Sequence, residues 1–191
     1  MDKPPQLFPL FLKLDGRKVV VVGAGPVAAS KLATLRGTGA AVVVIAPEVS
    51  EAVESEGVAI ERRAFRPEDL DGAWLAIAAA PPEVNSAVAA EAGRRRIFVN
   101  AVDDPERASA YAGGVVRRAG MTFAISSSGA APALAGLLRE GLEALLPGDL
   151  DAWVARASAL RKEQKAARVP MAQRRPLLLQ ALNRLYAEGG K

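Results

Sequence analysis

Gly23-Ala24-Gly25-Pro26-Val27-Ala28 is the first stretch of this sequence whose residue types and spacing could do chemistry. It follows a β-branched run, Lys18 to Val22, and leads into Val27, Ala28, Lys31, Leu32 and Leu35 at helical spacing. In a G-x-G-x-x-A turn between a strand and a helix, the first glycine permits the bend. The second lets backbone approach a pyrophosphate, and the small third residue lets helix pack on strand. Phosphates would rest at the helix N-terminus, so Gly23, Gly25, Pro26 and Val27 are the expected cofactor contacts. Farther along, Asn100-Ala101-Val102-Asp103-Asp104-Pro105 places two carboxylates just past an apolar run. A carboxylate there could accept a proton, although an aspartate in such a place also serves as a turn or cap residue.

A second strand should end in an acidic residue that holds the adenosine ribose. Ala46 occupies the strict position and Glu48 comes two residues later, after Pro47. Glu48 would repel a ribose 2′-phosphate, and no Lys or Arg follows the strand to receive one. NAD is therefore expected rather than NADP, with Pro47 and Glu48 on its ribose side. Small residues at Ala78, Ala79 and Ala80 leave room for a nicotinamide ribose, and Asn100 ends the next strand. Ala79 and Asn100 are the expected contacts of that half, with ordinary strand-end packing as the alternative.

What is missing narrows the chemistry. The 191 residues include no Cys and no His. There is then no thiolate nucleophile, disulfide framework, imidazole base or ordinary transition-metal site, and no metal site is expected. Acid–base work falls to Asp, Glu, Lys or Tyr. Half of the residues are hydrophobic and 24% are charged, as in ordinary globular domains. No apolar run reaches 18 residues, and Leu7 to Leu12, interrupted by Pro9, is too short for a signal-peptide core. The expectation is a cytoplasmic protein with no membrane partner. Residues 161–191 hold eight Lys/Arg and two acidic residues, net +6, while the whole chain is +4. Such a basic tail could meet nucleic acid or an anionic small molecule, or be a solvated helix face.

These residues need a scaffold. Apolar runs at 18–22, 41–45, 74–79 and 97–102, a more exposed run at 58–65 and a helical stretch at 82–95 alternate with short links. That pattern predicts an α/β fold with a Rossmann-like parallel sheet and right-handed crossovers. Tyr111–Val116 and Met121–Ser126, separated by Arg117-Arg118-Ala119-Gly120, read as a hairpin. After Ser126-Ser127-Ser128-Gly129 comes a helix with Leu134, Leu137, Leu138, Leu142 and Leu145 on one side, closed by Pro147-Gly148. Further helices are expected over about 150–166 and 176–188. The implied division is a nucleotide-binding domain over 1–110, a hairpin and helix over 111–148 and a helical domain over 149–191.

Four segments together resemble a known family. They are L-F-P-L-F-L-K-L-D-G-R-K-V-V-V-V-G-A-G-P-V-A, W-L-A-I-A-A, R-R-I-F-V-N-A-V-D-D and A-I-S-S-S-G-A-A-P-A-L-A-G-L-L-R-E. In this order they are similar to precorrin-2 dehydrogenase, the N-terminal module of siroheme synthase, over about residues 6–147. The chain ends where the fused enzymes continue into a methyltransferase, so that activity is expected to be absent. The resemblance implies NAD-dependent oxidation of precorrin-2 to sirohydrochlorin, with Asp103, in the family's N-x-V-D motif, as the catalytic carboxylate. In many members Fe²⁺ is then inserted to give siroheme, so Fe²⁺ is a candidate second substrate and ferrochelatase a candidate second activity.

Ser127 matches a serine phosphorylated in some members, although Ser128 replaces the first glycine of the family's S-S-G-G. Capping of the helix is its alternative role. Ser127, Arg117 and Arg118, with Arg107, are candidates to meet the carboxylates that fringe the tetrapyrrole. The resemblance further implies a homodimer built on the hairpin and the following helix. Two other readings compete. One is a chelatase that has lost hydride transfer, against which the intact Gly23/Gly25 turn argues. The other is a non-catalytic NAD-sensing regulator that uses its basic tail on DNA. Such sensors usually place a winged helix before the nucleotide fold, where only 17 residues stand here, so no nucleic-acid partner is expected.

Overall fold

A computed structural model of the chain describes residues 6–102 and 104–189. Five parallel strands form one sheet: β1 (Lys18–Val22), β2 (Ala41–Ile45), β3 (Ala59–Glu61), β4 (Ala73–Ala78) and β5 (Phe98–Ala101). Their order is β3-β2-β1-β4-β5. β1 lies at the centre and pairs with both β2 and β4, so Val19 to Val22 are buried on both faces. That position explains the uninterrupted β-branched run, since a strand covered on both sides has no use for alternation.

The helices divide between the two faces. α1 (Pro26–Leu35) and α2 (Glu51–Glu54) bury Ala28, Leu32 and Val53 against Val21, Val44 and Ile77. α3 (Pro82–Arg95) and a 3-10 turn at Pro67–Leu70 bury Val88, Ala92 and Leu70 against Val20, Ile45, Ala76 and Val99. Strands β2 and β3 are added on one side of β1 and β4 and β5 on the other, and a sheet built this way opens a crevice outside the carboxyl ends of β1 and β4. The architecture is the Rossmann-like one expected from the strand–helix alternation.

Beyond this sheet come an antiparallel hairpin, β6 (Gly114–Arg118) and β7 (Met121–Ile125), and three helices, α4 (Pro132–Leu145), α5 (Leu150–Ala166) and α6 (Met171–Gly189). The chain divides into two compact units. One is Met1–Gly113 with Ser126–Pro132, and the other is Gly114–Ile125 with Ala133–Lys191.

Three boundaries differ from the sequence expectation. The outer strand is only Ala59–Glu61, because Arg63 turns back to donate its N–H to the Glu61 carbonyl. The hairpin turn is Ala119-Gly120 alone, both with positive φ (53° and 72°), and Arg117 and Arg118 belong to β6. Two successive left-handed residues match the twist of paired strands. The last helix begins at Met171, with Pro176 inside it. Buried Gln164 of α5 donates to the Arg174 carbonyl (3.4 Å), and Arg174 Nε donates to the Val169 carbonyl (3.0 Å). These bonds fix the first turn of α6 ahead of the proline.

Candidate functional site

The glycine turn sits where β1 delivers the chain to α1. Gly23 has φ +102°, and a Cβ there would stand 2.2 Å from the Ala79 carbonyl oxygen. Its N–H donates to Ile45 O (2.9 Å), and the Ala79 N–H donates to Val22 O (2.8 Å). The turn is thus wedged between the ends of β2 and β4, which only glycine permits. Gly25 is the N-cap of α1, with Pro26 at the first helical position and no side chain capping the free N–H groups. Nothing lies within 4 Å of where a Gly25 Cβ would be. Val27 and Lys31 follow on α1, Val27 half-exposed and Lys31 partly buried. An open approach over an uncapped helix N-terminus suits a pyrophosphate.

On the β2 side, Pro47 and Glu48 are exposed just past the strand end. The loop they occupy is pinned at both ends: Ala46 N–H donates to Glu61 O (3.2 Å) and Ser50 N–H to Ala24 O (3.1 Å). The first of these bonds brings Arg62 and Arg63, which sequence reasoning missed, beside the end of β2. Both are already engaged. Arg62 pairs with Glu54, and Arg63 pairs with Glu61 and with buried Asp69 at 2.6 Å. Burial works against an ionised Asp69. The Arg63 guanidinium and the Arg66 N–H outweigh it and hold the carboxyl below its ordinary range. Arg63 is raised in turn, chiefly by its bonds to Asp69.

On the β4–β5 side, Ala78 is buried and Ala79 and Ala80 are partly buried. Asn100 lies opposite Ile77 in the sheet register and is 9% exposed. Its Nδ2 donates to Ala110 O (3.0 Å), and its buried Oδ1 has no partner. Such an orphan acceptor costs about 1–3 kcal/mol. The chain from 102 onward returns to β5, where Ser109 Oγ accepts the Val99 N–H (2.8 Å) and the Ser109 and Ala110 N–H groups donate to Val99 O.

This loop carries the two aspartates. Asp103 lies outside the described residues. Asp104 accepts from Arg107 Nη1 (2.6 Å) and from the Arg107 N–H (3.3 Å). The Arg107 bonds hold the Asp104 carboxyl below its ordinary value and raise Arg107. Asp104 therefore serves as a turn anchor, and Arg107, expected among the substrate contacts, is committed to it.

The Ser-rich segment belongs to the same unit and packs against this loop. Tyr111 Oη donates to Pro105 O (2.9 Å), and a Cβ on Gly129 would stand 3.1 Å from the Pro105 ring. Ser127 Oγ accepts the Ala131 N–H and Ser126 Oγ the Ser128 N–H, each at 3.1 Å. The structure thus brings together the glycine turn, the strand ends at Ala79 and Asn100, and the loops around Asp104 and Ser127 within one unit. Arg117 and Arg118 lie on β6 in the other unit, where Arg118 donates to Gly148 O (3.4 Å). Among the described residues no group of three or more acidic side chains could hold a metal ion. No described helix is long and apolar enough to cross a membrane.

Comparison with known proteins agrees with this geometry. Residues 10–114 match the family model described as "Putative NAD(P)-binding". The chain is 42% identical over 172 residues to siroheme synthase 3 of Aeromonas hydrophila subsp. hydrophila, covering 87% of this chain and 37% of that protein. It is 41% identical over 184 residues to siroheme synthase of Photorhabdus laumondii subsp. laumondii, covering 94% and 39%. The chain therefore spans less than two fifths of the length of these relatives. Among solved structures, "SirC, precorrin-2 dehydrogenase" superposes with a TM-score of 0.67 at 24% identity, covering 91% of this chain and 88% of that one, which shows a shared fold. With its family model covering more than half of its length, and the glycine turn, strand order and switch point that such a model requires in place, the chain belongs to this NAD(P)-binding family.

Proposed function

We propose that the chain oxidises precorrin-2 to sirohydrochlorin with NAD⁺ as the hydride acceptor. The observation that carries this reading is the open glycine turn at the switch point, with an acidic loop at the end of β5 in the same unit. The 41–42% identity to siroheme synthases supports the choice of substrate. When bound, the nicotinamide supplies an acceptor for the hydride that leaves the macrocycle. The Gly25 N-cap and the free N–H groups behind it hold the pyrophosphate, and Gly23 keeps the turn clear of Ala79. Pro47 and Glu48 border the adenosine ribose, and Glu48 disfavours a 2′-phosphate. Arg62 and Arg63, which follow β3 beside the end of β2, are engaged by carboxylates. NAD is the favoured cofactor for these reasons.

A new double bond also requires loss of a proton, and Asp103 accepts it. The neighbouring Asp104 is tied to Arg107, and the resemblance to the N-x-V-D motif favours Asp103 as the carboxylate for the chemistry. Ser127, Arg117 and Arg118 are proposed to meet substrate carboxylates. The same Asp103 would take the pyrrole protons if Fe²⁺ is inserted afterwards; the relatives are named for siroheme, which is the iron complex. A homodimer, a cytoplasmic location and no nucleic-acid role for the basic helices accompany this reading.

The test is Asp103→Ala. Calorimetric titration with NAD⁺ is expected to give the wild-type affinity, while anaerobic oxidation of precorrin-2 falls by at least about 100-fold, the worth of a positioned acid–base group. Turnover near the wild-type rate would remove Asp103 from the mechanism. Iron insertion is read separately, with sirohydrochlorin and Fe²⁺ in the absence of NAD⁺.

A further inference from the structure

Asn100 carries an unexplained feature. It is more than nine-tenths buried at the carboxyl end of β5, its Nδ2 is fixed on the Ala110 carbonyl, and its Oδ1 has no partner. The bond to Ala110 O settles which end of the amide is which, since a carbonyl can receive only from the NH₂ group. Val99 packs into the cluster beneath α3, so Asn100, the next residue along the strand, points to the opposite face of the sheet. That is the face on which α1 begins and on which its register partner Ile77 packs. A dinucleotide crossing the switch point lays its nicotinamide half toward β4 and β5. On that half the carboxamide is the sole N–H donor, and the ribose hydroxyls are its competitors.

We infer that Asn100 orients the nicotinamide: its Oδ1 accepts a hydrogen bond from the carboxamide NH₂, while its Nδ2 remains on Ala110 O. This rests on the nucleotide reading above and goes further, giving Asn100 one atom and one partner. Two anchors keep the acceptor in place. β5 pairs with β4 through Ile77 and Ala78, and Ser109 closes the returning loop on Val99. The carboxamide fixes which ring face and which edge meet the substrate, so this contact bears on orientation as well as affinity.

The experiment compares NAD⁺ with 3-acetylpyridine adenine dinucleotide, in which a methyl replaces the NH₂ and the carbonyl is kept. Binding to the full chain is read by calorimetry, without turnover. The wild-type protein is expected to bind the analogue about 5- to 10-fold more weakly, the worth of one hydrogen bond. In Asn100→Ala, NAD⁺ weakens by a similar factor and the difference between the two ligands shrinks below about twofold. Ser109→Ala, which loosens the loop closure without touching Oδ1, is expected to keep the wild-type difference. Equal binding of both ligands by wild type overturns the inference and leaves the nucleotide site standing. So does an Asn100→Ala protein that weakens NAD⁺ but keeps the full difference, which would assign Oδ1 to a ribose hydroxyl. If wild type binds neither ligand, the nucleotide reading falls and the inference with it.

Discussion

Gly23 and Gly25 are two residues apart and lack a Cβ for different reasons. At Gly23 the reason is internal, because a methyl would collide with the Ala79 carbonyl in a backbone conformation that L residues avoid. Gly23→Ala is expected to destabilise the fold by about 2–4 kcal/mol, combining backbone strain and overpacking; chemical denaturation measures it. At Gly25 the φ of −86° suits any residue and the space is open. Gly25→Ala should therefore cost less than about 1 kcal/mol of stability while weakening NAD⁺ binding by at least about 10-fold. Unchanged affinity in that variant would mean that the pyrophosphate does not use this approach. The two variants separate the glycine that serves the fold from the glycine that serves the ligand.

The crossover from β3 to β4 depends on Asp69, which accepts from the Arg66 N–H at the start of the 3-10 turn and pairs with Arg63. Asparagine there would lose the charge and one of the accepted bonds from the partly buried Arg63 guanidinium and Arg66 N–H. Asp69→Asn is expected to cost about 1–3 kcal/mol at neutral pH. The pH dependence follows from the direction of the shift. The folded carboxyl titrates below its ordinary value of 3.8, so its contribution is complete above about pH 4 and is lost as the pH falls through the folded value. Denaturation curves of the two proteins should therefore draw together as the pH falls below 3.8, converge only below the folded value, and separate as the pH rises. A stability gap that persisted in acid would show that Asp69 acts by shape rather than by charge.

For the whole molecule, α4 carries an apolar face that bears on assembly. Leu134, Leu137, Leu138 and Leu145 are all more than half exposed, Leu137 at 66% and Leu145 at 83%. A neighbouring side of the helix is occupied: Ala135 is buried, and Gly114 of β6 approaches the Ala135 carbonyl and Arg139. Four exposed leucines on one face are more than scattered surface residues and suit the homodimer interface proposed above. The homodimer proposed above predicts that Leu137→Glu combined with Leu138→Glu gives a folded monomer in analytical ultracentrifugation. An unchanged sedimentation coefficient would exclude this face from the dimer.

Much of this arrangement is legible along the chain because its causes are local. The β-branched runs at 18–22 and 41–45 can only be interior strands, and α3 and α5 begin and end where their flanking residues direct. The glycine turn is legible because its signature occupies six consecutive residues, although the contact that demands Gly23, the Ala79 carbonyl, is distant in sequence. The features that escaped depend on partners distant in sequence. Arg62 and Arg63 stand beside the end of β2 because β3 is the neighbour of β2 in the sheet, which no local pattern announces. The anchoring of Asn100 and the packing of Gly129 on Pro105 arise when loops meet segments ten or more residues away. Propensity and turn chemistry act between adjacent residues and can be read in order. Strand neighbours and loop closure are chosen by burial across the whole fold, and they become visible only once the chain is folded.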